Sequence, residues 1–245
     1  MNVKIYQIYY LKEQLSRLDT AFTPYDNINP PYSAEESNKL REWPILRTYG
    51  LQRAEQDNAD IWGFVSYKWD EKTNIPGQKF VDFIKANPDN DVWFMEPHYK
   101  PFSPFMNSWV QGDIFHPDIS KMANAFLKAN NISVDIAKVP MPLCYYNFFA
   151  GTRKFWITFF DFIDNMILFA KNNSDFHKAI FETGANHGND KTVPYFIFLV
   201  ERMFPTAITL AGLNYIGLKY HTNDFLIETN HLISVVNKIY TINPL

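Results

Sequence analysis

The run Asp60-Ile61-Trp62-Gly63-Phe64-Val65-Ser66-Tyr67-Lys68 is dominated by β-branched and aromatic residues, and residues 60–67 read as a strand. Upstream, residues 3–10 (VKIYQIYY) have the same character and read as the first strand. Downstream, residues 77–86 read as a helix ended by Asn87-Pro88, and residues 91–96 (DVWFME) as a third strand. Strand, helix, strand, helix order favours an α/β protein whose mostly parallel central sheet is flanked by helices. In such sheets ligands bind beyond the carboxyl ends of the strands. The chemistry is therefore expected in the loops after them, over residues 20–32, 68–77, 97–117 and 151–153.

Further along, Ser33 with Glu36 three residues on is a capping box, predicting a helix over residues 33–46. Residues 118–130 read as a helix and 145–150 as a short strand. Residues 152–171 give the clearest helix, with Phe155, Trp156, Phe159, Phe160, Ile163, Met166, Ile167 and Ala170 on one face. Residues 193–211 read as a helix bent near Pro205, and an apolar-periodic segment surrounds residues 231–240. No repeat, low-complexity tract or linker divides the chain. One domain is expected over residues 1–245, its part from about 152 to 245 mainly helical.

The 245 residues are 47% hydrophobic and 20% charged, enough for a full core. A net charge of −3 with scattered basic residues excludes a nucleic-acid partner. The single cysteine, Cys144, excludes an intrachain disulfide and a cysteine-based metal site, and a cytoplasmic setting is the simplest reading. The opening residues lack the apolar core of a signal peptide. The apolar stretches 193–200 and 203–218 are too short and too polar to span a bilayer. Peripheral contact at the inner face of a membrane stays open. Aromatic residues reach 17%, material for a bulky core or for stacking on sugars and bases.

No Walker loop, GxGxxG, HExxH or GxSxG motif occurs. The candidates are polar residues near strand ends. Asp26 and Asn27 could meet ribose or sugar hydroxyls, or close an Asx-turn. Ser66, Lys68 and Lys72 follow the second strand, where the lysines could neutralise a diphosphate or simply be solvated. In the stretch 107–117, Trp109 offers a stacking face, Gln111 hydrogen bonds, and Asp113 or His116 a general base. Asn147 is a polar amide among aromatic residues and needs partners. Glu201 and Arg202 are the only charges between Lys191 and Lys219, so burial of at least one is expected, with a partner elsewhere. Asp89-Asn90-Asp91 precedes its strand and reads as a surface turn, not a metal motif. No metal-ligating residue is assigned, although a divalent ion, manganese or magnesium, stays open as cofactor.

Four segments then carry a resemblance. They are the opening strand with Tyr25-Asp26-Asn27; the run 60–68, similar to an aromatic-Gly-aliphatic strand followed by Tyr-Arg; Asn147-Phe148-Phe149-Ala150 followed by the Phe155-Trp156 helix; and Val200-Glu201-Arg202-Met203-Phe204, similar to Ala-Glu-Arg-Leu-Phe. In this order the chain resembles the glycosyltransferase-like proteins of bacterial capsular and surface polysaccharide synthesis. Lys68 stands where that group has arginine. The resemblance implies a GT-A-type fold, a nucleotide-sugar donor and a glycan or lipid-linked acceptor. It makes Asp26 and Lys68 donor-side residues, and Glu201 and Arg202 pocket residues. Two rival readings are a non-catalytic glycan-binding protein on the same fold, and a glycoside hydrolase pairing Asp113 with Glu201.

Overall fold

The computed structural model describes residues 1–96, 106–144, 147–187, 190–221 and 224–229. The strands are β1 (Val3–Tyr9), β2 (Thr23–Asp26), β3 (Ile61–Ser66), β4 (Val92–Glu96), β5 (Phe149–Thr152), β6 (Gly184–His187), β7 (Asp190–Pro194), β8 (Tyr215–His221) and β9 (Asp224–Thr229). The helices are α1 (Ala34–Leu40), α2 (Gly50–Gln56), α3 (Trp69–Thr73), α4 (Gly77–Ala86), α5 (Ser108–Phe115), α6 (Ile119–Ala129), α7 (Arg153–Asn172), α8 (Ser174–His177) and α9 (Tyr195–Leu210).

Seven strands form one sheet in the order β2-β1-β3-β5-β4-β8-β9, and β6 with β7 makes a separate hairpin. β2, β1 and β3 run parallel, as do β4 and β8. β5 lies between β3 and β4, antiparallel to both, and β9 closes the edge antiparallel to β8. The sheet is thus mostly parallel, with helices on both faces, as the element order implied.

β5 fits because position 63 is glycine. Gly63 pairs with Ala150, and a Cβ there would lie 2.3 Å from the Phe149 carbonyl oxygen. The reversal also has a consequence for function. It places the start of β5, and Asn147-Phe148 before it, at the sheet edge where β1, β2 and β3 end. Residues 151–153, expected to reach a site, fall at the opposite edge.

Side chains alternate between the two faces along each central strand, as the pleat requires. Tyr6 and Ile8 of β1, Trp62 and Phe64 of β3, Val92 and Phe94 of β4, and Phe149 of β5 join α5, α6, α7 and α9 in the larger core. Ile5, Ile61, Val65, Trp93, Met95 and Ala150 point the other way, into a smaller core with Trp69, Phe80 and Ile84. Burial on both faces explains why these strands read as near-continuous apolar runs. The largest fully buried side chains are all aromatic. Trp62 and Trp156 stack at 5.8 Å, and the Trp156 indole N–H donates to the Trp62 carbonyl at 3.0 Å. Phe149 stacks on Phe204 at 4.1 Å.

Several sequence expectations need correction. Residues 20–32 are not all loop: residues 23–26 form β2, completed only by pairing with β1. The helix predicted over 33–46 has the expected Ser33–Glu36 capping box but stops at Leu40, where Arg41 adopts φ 51°. Trp43 and Pro44 then begin a second helical stretch that runs on into α2. The polar-aromatic loop over 107–117 is largely α5, capped by Asn107, whose side chain accepts from the Trp109 and Val110 amides. The helix expected over 193–211 is present as α9, with Pro205 inside it. The C-terminal part holds β6 to β9 as well as α7 to α9, and the segment 231–240 lies outside the described residues. No helix among the described residues is long and apolar enough to cross a membrane.

Trp156→Ala would remove the stack on Trp62 and its buried hydrogen bond together. It is expected to cost about 3–5 kcal/mol, read as a lower urea midpoint in equilibrium unfolding.

Candidate functional site

A cavity of about 640 Å³ opens at the carboxyl ends of β1, β2 and β3. Tyr10 and Asn27 come directly after β1 and β2, and Ser66 ends β3. Lys72 comes from α3. Asn147 and Phe148 arrive from the segment leading into β5. The far wall is Glu42 and Trp43 after α1, with Ile197, Val200 and Glu201 of α9. α1 packs against α9 and β7, which closes that side.

Glu201 projects from the apolar helix α9, its side chain 28% exposed. Burial pushes its carboxyl up to about 7; Arg202 and Lys72 pull it back, and the nearby Glu42 pushes it further up. Pro205, four residues on, has no N–H to give the Glu201 carbonyl, so the helical ladder is interrupted where this side chain faces the cavity. Burial pulls the Lys72 ammonium down, against the attraction of Glu42 and Glu201. Its Nζ lies 5.6 Å from the Phe148 ring centroid. Glu42 Oε1 accepts from the Tyr10 hydroxyl at 2.5 Å and Oε2 from the Asn147 amide at 3.1 Å. Burial, together with the Glu42 carboxylate, holds the Tyr10 phenol protonated far above its usual range. Asn27 Oδ1 accepts from the Tyr32 hydroxyl at 3.1 Å.

Of the residues singled out from sequence, Asn27, Ser66, Lys72, Asn147 and Glu201 meet around this cavity. Seven do not line it. Asp26 is exposed and accepts from the Ile28 amide at 2.8 Å, an Asx-turn. Lys68 is exposed, its Nζ 5.6 Å from the Tyr67 ring centroid. Trp109 offers no stacking face: it is fully buried, with its indole N–H donating to Thr206 at 2.8 Å. Asp113 accepts from the Ser120 amide and hydroxyl, tying α5 to α6. Asp113 therefore points its carboxylate at α6, whereas Glu201 lines the cavity. His116 is buried at the end of α5, stacked 3.8 Å from Phe198.

Arg202 and Gln111 form a structural brace. Arg202 is 4% exposed; its Nε donates to the Ser108 carbonyl at 3.0 Å, Nη1 to the Phe198 carbonyl at 3.0 Å, and Nη2 to Gln111 Oε1 at 2.9 Å. The partner expected for a buried charge is thus the backbone of α5 and of α9 itself. Glu201 lies 4.0 Å away, its helix neighbour rather than its main partner.

Tyr10, Tyr32, Glu42 and Phe148 were missed from sequence. Glu42 carried no local signal: it lies in the turn between α1 and the helical stretch that Trp43 and Pro44 begin. Asp91, of Asp89-Asn90-Asp91, sits at the start of β4, on the sheet edge away from the cavity, accepting from the Lys154 ammonium and the Asn214 amide. Among the described residues no three His, Cys, Asp or Glu side chains are grouped to hold a metal ion.

No protein-family model matches the chain, and no curated protein matches it. Among solved structures it is similar to the apo form of WbbM, a bifunctional glycosyltransferase, with a TM-score of 0.53 at 14% sequence identity. The match covers 91% of this chain and 46% of that one, so the chain spans about half the length of its structural neighbour. At this identity the likeness establishes a glycosyltransferase-like fold.

Two outcomes follow from the electrostatics. Arg202→Ala removes a buried side chain with its three hydrogen bonds and leaves Gln111 Oε1 without its donor, which is expected to cost about 3 kcal/mol, seen in chemical denaturation. Glu201 behaves oppositely. Its folded carboxyl titrates above the ordinary value of 4.5, so between about pH 4.5 and 7 the folded state binds more protons than the unfolded one and stability falls as pH rises. Glu201→Gln should therefore stabilise the protein by about 3 kcal/mol at pH 8. The gain should shrink toward zero near pH 4.5, measured as urea midpoints across pH.

Proposed function

We propose that the chain is a glycosyltransferase that moves a sugar from a nucleotide-sugar donor to a hydroxyl of a glycan or lipid-linked acceptor. This is the reading implied by the resemblance to the capsular and surface polysaccharide group. One observation carries it: a carboxyl raised to about 7 faces a cavity at the carboxyl ends of parallel strands, on a glycosyltransferase-like fold.

Transfer requires removal of a proton from the acceptor hydroxyl as its oxygen attacks the anomeric carbon and the nucleoside diphosphate departs. A base works best when its pKa lies near the working pH. Glu201 meets that condition, and a side-chain base facing the acceptor is what an inverting transfer needs. The departing diphosphate carries negative charge, which Lys72 in the cavity and Arg41 at its exposed mouth are placed to offset. The aromatic rings of Tyr10, Tyr32 and Phe148, beside the amides of Asn27 and Asn147, supply the mixture of flat apolar surface and hydrogen bonding that sugars and bases require. Arg202 and Gln111 contribute by bracing the helix that carries Glu201.

A uridine, guanosine, cytidine and thymidine nucleotide-sugar panel, with and without manganese or magnesium, should raise the melting temperature with at least one member. Silence across the panel with retained sugar binding would favour the non-catalytic glycan-binding protein. With the donor identified, Glu201→Gln is expected to lower kcat by roughly 10²- to 10⁴-fold while leaving donor affinity close to that of the parent. The rate of the unsubstituted enzyme should climb through about pH 7 as Glu201 ionises.

A further inference from the structure

Glu42 is presented to the cavity by an unusual piece of backbone. α1 ends at Leu40, and Arg41 then takes φ 51° and ψ −116°, a conformation an L-residue seldom adopts. Trp43 follows and is buried edge-on against Phe159 and Phe160, at 5.8 Å from each. Between the turn and the anchor, Glu42 has both carboxylate oxygens engaged, by the Tyr10 hydroxyl and the Asn147 amide. Its partners come from segments 32 and 105 residues away, one following β1 and one preceding β5. Strained backbone that persists beside a polar cavity points to a role at the site.

We propose that Glu42 is the positioning residue of this cavity: one carboxylate ties the wall after β1 to the wall before β5 and supplies the negative charge that Glu201 and Lys72 face. The proposal deepens the transferase reading and takes from it only the identity of the site. A Glu42 carboxylate disfavours a second ionised carboxyl nearby, which keeps Glu201 protonated to higher pH. It also favours the charged form of Lys72 against the cost of burial. Among the described residues, the charged and titratable groups around Glu201 and its cavity are Lys72 of α3, Glu42 and Arg41 after α1, Arg202 on α9 itself, and the phenols of Tyr10 and Tyr32.

The test titrates the Glu201 carboxyl by NMR in ligand-free protein carrying carboxyl-labelled glutamate, with the resonance assigned by its loss in Glu201→Gln. Glu42→Gln keeps the size of the side chain and removes the charge, so the Glu201 midpoint should move to lower pH. Glu42→Asp keeps the charge and shortens the reach. The midpoint should then stay near that of the parent, while donor affinity weakens because Tyr10 and Asn147 are no longer held together. An unmoved midpoint in folded Glu42→Gln, or an equal drop in both variants, overturns the proposal. Should Glu42→Gln not fold, the parent decides: its Glu42 resonance should show an inflection at the Glu201 midpoint that vanishes in Glu201→Gln, and a Glu42 resonance blind to Glu201 overturns it. The titration needs no ligand, so a silent nucleotide panel would count against the transferase reading and leave this one standing.

Discussion

The backbone contact between Gly63 and the Phe149–Ala150 peptide underlies much of the architecture. A Cβ at position 63 would sit 2.3 Å from the Phe149 carbonyl oxygen, so a larger residue would push β5 off β3. β5 joins the β2-β1-β3 half of the sheet to the β4-β8-β9 half. Its antiparallel course also decides where function can lie. Because β5 runs against its neighbours, Asn147 and Phe148 enter from the edge at which β1, β2 and β3 end. The cavity is built across that edge.

Around this junction the core is an aromatic assembly more than an aliphatic one. Phe149 lies in the middle, stacked on Phe204 and packed edge-on against Phe155 and Phe159. Such rings fill large volumes with few rotatable bonds and orient one another through edge and face contacts. The packing fixes α7 and α9 against the sheet. The rigid placement of α9 matters because it carries Arg202 and Glu201 on neighbouring faces, about 100° apart. One turns into the protein and satisfies backbone carbonyls. The other turns into the cavity, where incomplete solvation leaves its carboxyl poised near neutrality. Adjacent residues that look alike in the sequence thus divide into a brace and a reactive group.

Polar groups in the cavity form a connected set. Glu42 links Tyr10 to Asn147, Asn27 holds Tyr32, and Lys72 balances two carboxyl groups over the face of Phe148. In a site of low effective dielectric, each charge is felt strongly by the others.

The sequence by itself determined the parts with local causes. The strands 61–66 and 92–96, helix 77–86, the long helix after Thr152 and the Ser33–Glu36 capping box follow from periodicity, β-branched runs and caps within a few residues. The α/β class followed from their order. Glu201 stood out because charge in apolar surroundings is costly wherever it falls, and Lys72 because it follows a strand end. Tertiary structure decided the rest. β2 exists through pairing with β1, and α5 looked like a loop because the Trp109 at its start is buried only through distant partners such as Thr206. Asp113 and Arg202 had the right chemistry for a site, yet their hydrogen bonds go to the protein. Glu42 had no local mark, since its importance comes from Tyr10, Asn147 and Glu201, which only folding brings within reach. Side-chain chemistry is written along the chain, but partners and burial are properties of the packed molecule, and they decide which groups hold it together and which face a ligand.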